Sequence, residues 1–363
     1  MITDQFIEAV GYIEGAELYG VYSRDLAHAE RYAAKHKAAK YWNDLSEMLA
    51  DPCIDAVYLA SPNLFHRAQA LACIEAGKHV LIEKPLALTQ DDAKGIFDAA
   101  RAHGVIAMEA MRLVHDPAYQ LILDELSRLG APHSAYLSYL KHSSRYDDLL
   151  QGNLTNIFDP RMATGSLMDL GVYPISAAVL LFGMPHTIRG VSEKRIVLTD
   201  DEVRQAELNL AEDDQAPSHG SAPKQRPLSK EIDIAGSAVL GYPNICVSIA
   251  YSKAVTSTLD CMIAGEAGEI RWQGVGQPQH IRRIDNKGNE ERIPNRLRKN
   301  QTSHEVGNME FELEDFVKAI RDKSEPVHAN TISEQTLAIV ETLREQAGRY
   351  CLSRGAMEGI SQL

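Results

Sequence analysis

Four short apolar runs in the first 110 residues constrain this fold more than any other feature: Glu17–Ser23 (ELYGVYS), Ile54–Ala60 (IDAVYLA), His79–Glu83 (HVLIE) and Val105–Glu109 (VIAME). Runs that are apolar along their whole length suit strands buried on both faces, as in a parallel sheet, and the segments between them have legible helix ends. Asn63 is placed to cap a helix over Leu64–Ala76, which Gly77 closes. Thr89 is placed to cap the next, with Asp92 at its third position and Gly104 after its last turn. Strands joined by helices of this length make right-handed crossovers, so the N-terminal part is expected to be a doubly wound parallel α/β sheet. The chain also opens on a helix, Met1–Ile13, ahead of any strand.

After Met111 the rhythm changes. A helix over Asp116–Leu129 is followed by period-2 stretches at His133–His142, Thr187–Leu198, Ile232–Leu240, Ile245–Tyr251 and Thr256–Ile263, the pattern of an antiparallel sheet with one wet face. Phe311–Arg321 and Ser333–Tyr350 have apolar residues at helical spacing and read as closing helices. The layout expected is residues 1–112 as a dinucleotide-binding unit and residues 113–363 as an α+β unit with a large, mostly antiparallel sheet. A polar, Pro- and Ser-rich stretch at 211–230 reads as a mobile loop.

Charge excludes some partners. With 37 basic and 50 acidic residues the formal net charge is −13, which repels nucleic acid and anionic membrane surfaces. The basic cluster Arg282, Arg283, Lys287, Arg292, Arg296, Arg298 and Lys299 is interrupted by Asp285, Glu290 and Glu291 and reads as a solvated loop. Cys53, Cys73, Cys246, Cys261 and Cys351 contain no CxxC pair, so neither disulfides nor a metal site is expected. No apolar run is expected to reach membrane-spanning length, and the N-terminus lacks the features of a signal peptide, so a cytoplasmic location is expected.

Three stretches can carry chemistry. SPNLFH, Ser61–His66, lies where a parallel strand gives way to a helix, the side on which open α/β sheets bind ligands. It reads equally as an ordinary turn with Pro62 fixing the backbone. IEKPLAL, Ile82–Leu88, ends an apolar strand on Glu83 and Lys84, where a charge is costly without a partner or a task. Pro85 could favour a cis peptide there. The pair is either a rim ion pair or a device for binding a substrate hydroxyl. GSLMDLGVYPI, Gly165–Ile175, puts Asp169 and Tyr173 four apart, on one face of a helix. They read either as a proton relay or as a buried tyrosine whose hydroxyl Asp169 satisfies.

Taken together, SPNLFHRAQALACIEAGKHVLIEKPLALT, MEAMR and MDLGVYPI resemble the glucose-fructose oxidoreductase, inositol dehydrogenase and MocA family, and within it the branch of the dimeric dihydrodiol dehydrogenases. The resemblance implies an NAD(P)-dependent oxidoreductase moving a hydride between nicotinamide and a hydroxyl or carbonyl carbon of a sugar, polyol or cyclic diol. It implies catalytic roles for Lys84, Asp169 and Tyr173, with Tyr173 handling the proton. Cofactor contacts are implied for Ser61, Pro62, Asn63, His66, Glu83, Lys84 and Glu109, and for Ile2 and Thr3 near the pyrophosphate. Arg112 and Arg145 are candidate substrate contacts, and a homodimer or homotetramer through the C-terminal sheet is expected. Ser23 and Arg24 follow the strand ELYGVY where an NAD-binding chain would place a carboxylate. A hydroxyl and a guanidinium suit a 2′-phosphate better, and with Asp25 one residue on, NADP is expected over NAD.

The resemblance also calls for a first strand and a G-x-G-x-x-A/G loop before the first helix, and the nearest glycines here, Gly11 and Gly15, do not supply one. One reading places the natural start roughly ten residues earlier, as the size of that strand and loop would require. The alternative is a cofactor-deficient sensor or regulatory protein of the same fold. Because Ser23, Arg24 and the EKP triplet are intact, the enzyme reading is the expectation.

Overall fold

The computed structural model describes residues 2–213, 229–295 and 307–347. Helix α1 (Ile2–Val10) comes first, and the parallel strands then form two sheets. In one, β1 (Gly20–Tyr22) pairs with β2 (Lys40–Trp42); in the other, β3 (Ala56–Leu59), β4 (His79–Glu83) and β5 (Ala107–Ala110) lie side by side. Connecting them are α2 (Leu26–His36), α3 (Leu45–Leu49), α4 (His66–Glu75) and α5 (Gln90–His103). Val80, Leu81 and Ile82 of β4 are fully buried, as a strand covered on both faces must be, and α5 supplies Ala93, Ile96 and Phe97 to its core.

Local chemistry explains the helix ends. Asp25 caps α2 by accepting from the backbone N–H groups of Ala27 and His28, and Thr89 caps α5 by accepting from Asp92 N at 3.1 Å. Gly104 closes α5 in the left-handed conformation. Asn63 is not a cap, contrary to expectation. Residues 63–65 form a tight 3₁₀ turn, and the Asn63 amide donates to Ala163 O at 3.1 Å instead.

Short helices α6 (Arg112–His115) and α7 (Pro117–Leu126) lead into the second half. There β6 (Pro132–Leu140) is followed by α8 (Ser144–Leu150), α9 (Val172–Phe182), β7 (Thr187–Ile196) and α10 (Asp200–Asp213). Next come β8 (Glu231–Gly241), β9 (Cys246–Ser252), β10 (Cys261–Gly265), β11 (Gly268–Gln273), β12 (Gln279–Asp285) and β13 (Glu290–Arg292), and then α11 (Met309–Asp322) and α12 (Val327–Ala347). The eight strands from β6 onward make one sheet in the order β13-β12-β11-β10-β6-β9-β8-β7, antiparallel except for the parallel pair β6 and β9. Helices α9 and α12 cover one face. Arg189, Val191, Ser237, Val239 and Ser248 stand exposed on the other.

Several expectations are corrected here. Strand β10 starts at Cys261, not Thr256, and residues 254–260 are irregular. Only Lys287 of the described basic cluster lies in a loop: Arg282 and Arg283 lie in β12, paired with Asp260 and with Glu125 and Glu291, Arg292 lies in β13, and Arg296, Arg298 and Lys299 lie outside the described residues. Residues 211–213 of the expected loop belong to α10, whereas 214–228 lie outside the described residues. Helix α12 begins at Val327, directly after Pro326, six residues ahead of the expected Ser333; residues 348–350 of that expected helix lie outside the described residues. The stretch Pro160–Phe182 does have the length and composition to cross a membrane, but 83% of its most apolar window is buried inside the protein as core.

Candidate active site

Strand β4 ends on Glu83, which is buried, and Lys84. The Lys84–Pro85 bond is cis. The ammonium of Lys84 reaches across to the second half of the chain, donating to Asp169 Oδ1 at 2.7 Å and to the Asp169 carbonyl at 3.0 Å. It also sits 5.0 Å from the centre of the Tyr173 ring. Two stretches 85 residues apart in sequence therefore meet at one point. The other oxygen of Asp169 is held by Lys253, a buried lysine directly after β9. Tyr173 does not draw on Asp169. Its ring stands edge-on to Tyr139 at 5.2 Å, and Arg112 lies beside it.

The backbone around Asp169 is shaped for this meeting. Residues Leu167–Gly171 form a single π turn before α9, with Leu167 N donating to Asp233 Oδ2 at 2.6 Å. Gly165 has φ +110, and a side chain there would collide with Asp233 Oδ1. The wider turn sets Asp169 toward Lys84 and leaves Tyr173 in the first turn of α9.

Electrostatics follow from burial and pairing. Burial would push the Lys84 ammonium down, but Asp169, Tyr173 and Glu83 outweigh it and hold it above its usual value. Burial would raise the Asp169 carboxyl, but the two ammoniums hold it well below the usual range. Burial pushes Lys253 below its ordinary value against the pull of Asp169. Asp233 is pushed up to about 6 by its buried position.

Tyr173 and Arg112 open onto a pocket of about 340 Å³, lined also by Tyr139, Gln273, Gln277 and Asn308. Gly276, in the connection between β11 and β12, lies flat against the Tyr173 ring. The lining is rich in amides and aromatic rings, a surface that can hydrogen-bond hydroxyl groups and cover a small ring.

The other candidate residues fall into two groups. Ser23, Arg24, Ser61 and Pro62 gather at the C-terminal ends of β1 and β3, where the Arg24 guanidinium lies 5.0 Å over the Phe65 ring. Asp25 turns its Oδ1 to the start of α2 as the cap of that helix. The end of the site expected to take a 2′-phosphate therefore carries a cation, which suits NADP. His66, Glu83 and Glu109 are braces. His66 spans Ser61 O at 2.8 Å and Pro85 O at 2.9 Å, and Glu109 accepts from Leu86 N at 2.7 Å and Ser333 Oγ at 2.6 Å. Glu83 accepts from Tyr58 and Lys84 N. These side chains hold the two turns together through hydrogen bonds within the protein.

Three more candidate residues lie elsewhere. Ile2 and Thr3 adjoin Asp4, whose carboxylate takes Tyr32, Lys35 and His36 near the last turn of α2. That is about 16 Å of helix from Arg24. Arg145 is exposed on α8 and is absent from the pocket wall. Lys253 was missed, although YSKA, a lysine ending an alternating strand, carries the same signal as the lysine after HVLIE.

Comparison with known proteins places this geometry. Residues 1–111 match the model of the "Oxidoreductase family, NAD-binding Rossmann fold", and residues 155–350 match the "Oxidoreductase family, C-terminal alpha/beta domain". A scyllo-inositol 2-dehydrogenase (NADP(+)) of Bacillus subtilis is 34% identical over 96% of this chain and 94% of its own length. The trans-1,2-dihydrobenzene-1,2-diol dehydrogenase of Bos taurus is 28% identical over 52% of this chain and 55% of its own. The fold is shared with a 3-ketoreductase from Actinomadura kijaniata solved with NADP, at TM-score 0.73 and 19% identity over 94% of this chain and 92% of that one. The chain belongs to the glucose-fructose oxidoreductase, inositol dehydrogenase and MocA family. It is an NAD(P)-dependent dehydrogenase or reductase acting on CH–OH groups.

Proposed function

We propose that the protein uses NADP to interconvert a secondary hydroxyl and a carbonyl on a neutral polyol, cyclic diol or sugar, with Lys84, Asp169 and Tyr173 as its reaction centre. The observation that carries this is the Lys84 ammonium, gripped by Asp169 and set beside Tyr173, whose ring lines a pocket rich in amides. NADP supplies the hydride acceptor or donor. Lys84 has three N–H donors and gives two to Asp169, which leaves one for the reacting oxygen. Tyr173 moves the proton at that oxygen. Asp169 has both oxygens engaged by lysines and serves as an anchor, not a base. Arg112 orients the remaining hydroxyls. His66, Glu83 and Glu109 keep the turn after β4 rigid, so Lys84 meets substrate in one position. We also propose that two copies associate through the open face of the eight-stranded sheet, since Val191 and Val239 stand exposed on it.

Turnover of scyllo-inositol and a panel of neutral sugars and diols with NADP⁺, followed by NADPH absorbance, tests the reading. Tyr173→Phe should lower kcat by about a hundredfold, the scale of a lost proton-transfer group, with KM little changed. Unchanged turnover in that variant removes Tyr173 from the chemistry.

A further inference from the structure

Burying one lysine against one carboxylate already balances the charge at Asp169, and a second buried lysine adds a desolvation penalty of several kcal/mol that packing alone does not offset. Lys253 is that second lysine. Its main chain is pinned on both sides, with its N–H donating to Ile234 O at 3.0 Å and its carbonyl accepting from Ser143 N at 3.0 Å. Its side chain is almost wholly enclosed, and its ammonium closes on the Asp169 oxygen that Lys84 leaves open. No other side chain bonds that oxygen among the described residues.

We propose that Lys253 is a positioning residue for the reaction: it locks the Asp169 carboxylate in its ionised form and in one rotamer, and so aims Lys84 at the reacting oxygen. The inference rests on the reaction centre described above. With both oxygens held by ammonium groups, Asp169 is a poor proton acceptor, which favours Tyr173 for that step. The trio of two lysines and one carboxylate also carries one excess positive charge in a water-poor site. That charge favours an alkoxide at the reacting carbon more than it favours the neutral alcohol. The charged and titratable groups facing this trio are Asp233 from β8 toward Lys253, and Glu83, Tyr173, Tyr139, His66 and Glu109 toward Lys84.

Two measurements test the assignment, one without turnover. In a urea-unfolding cycle, Lys253→Met should lower the unfolding midpoint in the wild-type background. In the Asp169→Asn background it should raise the midpoint or leave it unmoved, because there it removes an unpaired buried cation. An equal loss in both backgrounds means that Lys253 only fills space and overturns the proposal. In the pH profile of kcat/KM, Lys253→Met should move the acid limb up by about one unit or more, as Asp169 loses one of its two cations. Its kcat should fall roughly tenfold and its KM should stay within about threefold. Lys253→Arg, which keeps the cation, should leave the limb in place, and it provides the test should the Met variant fold poorly. A uniform fall at all pH values with the limb unmoved also overturns the proposal. If Lys84→Met turns over at the wild-type rate, the reaction centre itself is misread, and the urea cycle still decides the role of Lys253.

Discussion

A carboxylate between two lysines and a carboxyl whose burial outweighs its nearby cations titrate in opposite directions, and Asp169 and Asp233 supply one of each. Burial pushes the Asp233 carboxyl up to about 6, above the ~3.9 of an unfolded chain, so the folded protein holds that proton more tightly. The stability this group contributes is therefore complete below about pH 4 and lost as pH rises through 6. Asp233→Asn keeps an acceptor for Leu167 N and should be more stable than wild type at pH 7 by about 1–3 kcal/mol, with the difference vanishing toward pH 4. Urea unfolding at the two pH values checks it. Asp169 works the other way. Its carboxyl is held below the usual range, so its contribution is present above about pH 4 and is lost on acidification, equally in both proteins. At the far end of the site, Arg24 is the cation available to a 2′-phosphate. Arg24→Asp should weaken NADPH binding by at least about tenfold and leave NADH binding little changed, measured by titration calorimetry. Equal losses for both nucleotides would remove Arg24 from cofactor choice.

Elements show which parts of this molecule could be read from sequence. Strand β4 and helix α5 were legible to the residue because uninterrupted burial and good caps leave little choice. Strands β2, β11, β12 and β13 were not expected. β2 and β13 are three residues long, and β12 carries the adjacent pair Arg282 and Arg283, whose partners include the distant Asp260 and Glu125. A charge run of this kind carries no local sign of being a strand, since the ion pairs that settle it are tertiary. The convergence of Lys84 with Asp169 came through resemblance. What sequence spacing could not show was the π turn that carries Asp169 ahead of α9. That turn depends on Gly165. Gly165→Ala forces a side chain into a positive-φ position and onto Asp233, and should cost at least about 2 kcal/mol. Chemical unfolding checks this cost. A variant as stable as wild type would show that the turn can relax without its glycine.

For the whole molecule, the proposed reaction centre lies where the two halves of the chain meet: the end of β4 brings Lys84, the turn before α9 brings Asp169, and α9 brings Tyr173. The open face of the eight-stranded sheet points away from the helices that cover its core and carries the exposed Val191 and Val239. Val239→Lys combined with Val191→Lys should shift the protein toward monomer in light scattering after gel filtration, while kcat stays within about twofold. An unchanged mass would move the interface elsewhere. The central claim, that Lys84 held by Asp169 acts on the reacting oxygen, is tested most directly by the rate of a single hydride transfer from bound NADPH in Lys84→Met. A fall of at least about a hundredfold, with NADPH affinity kept within about threefold, is the predicted result. A transfer rate equal to wild type would contradict it.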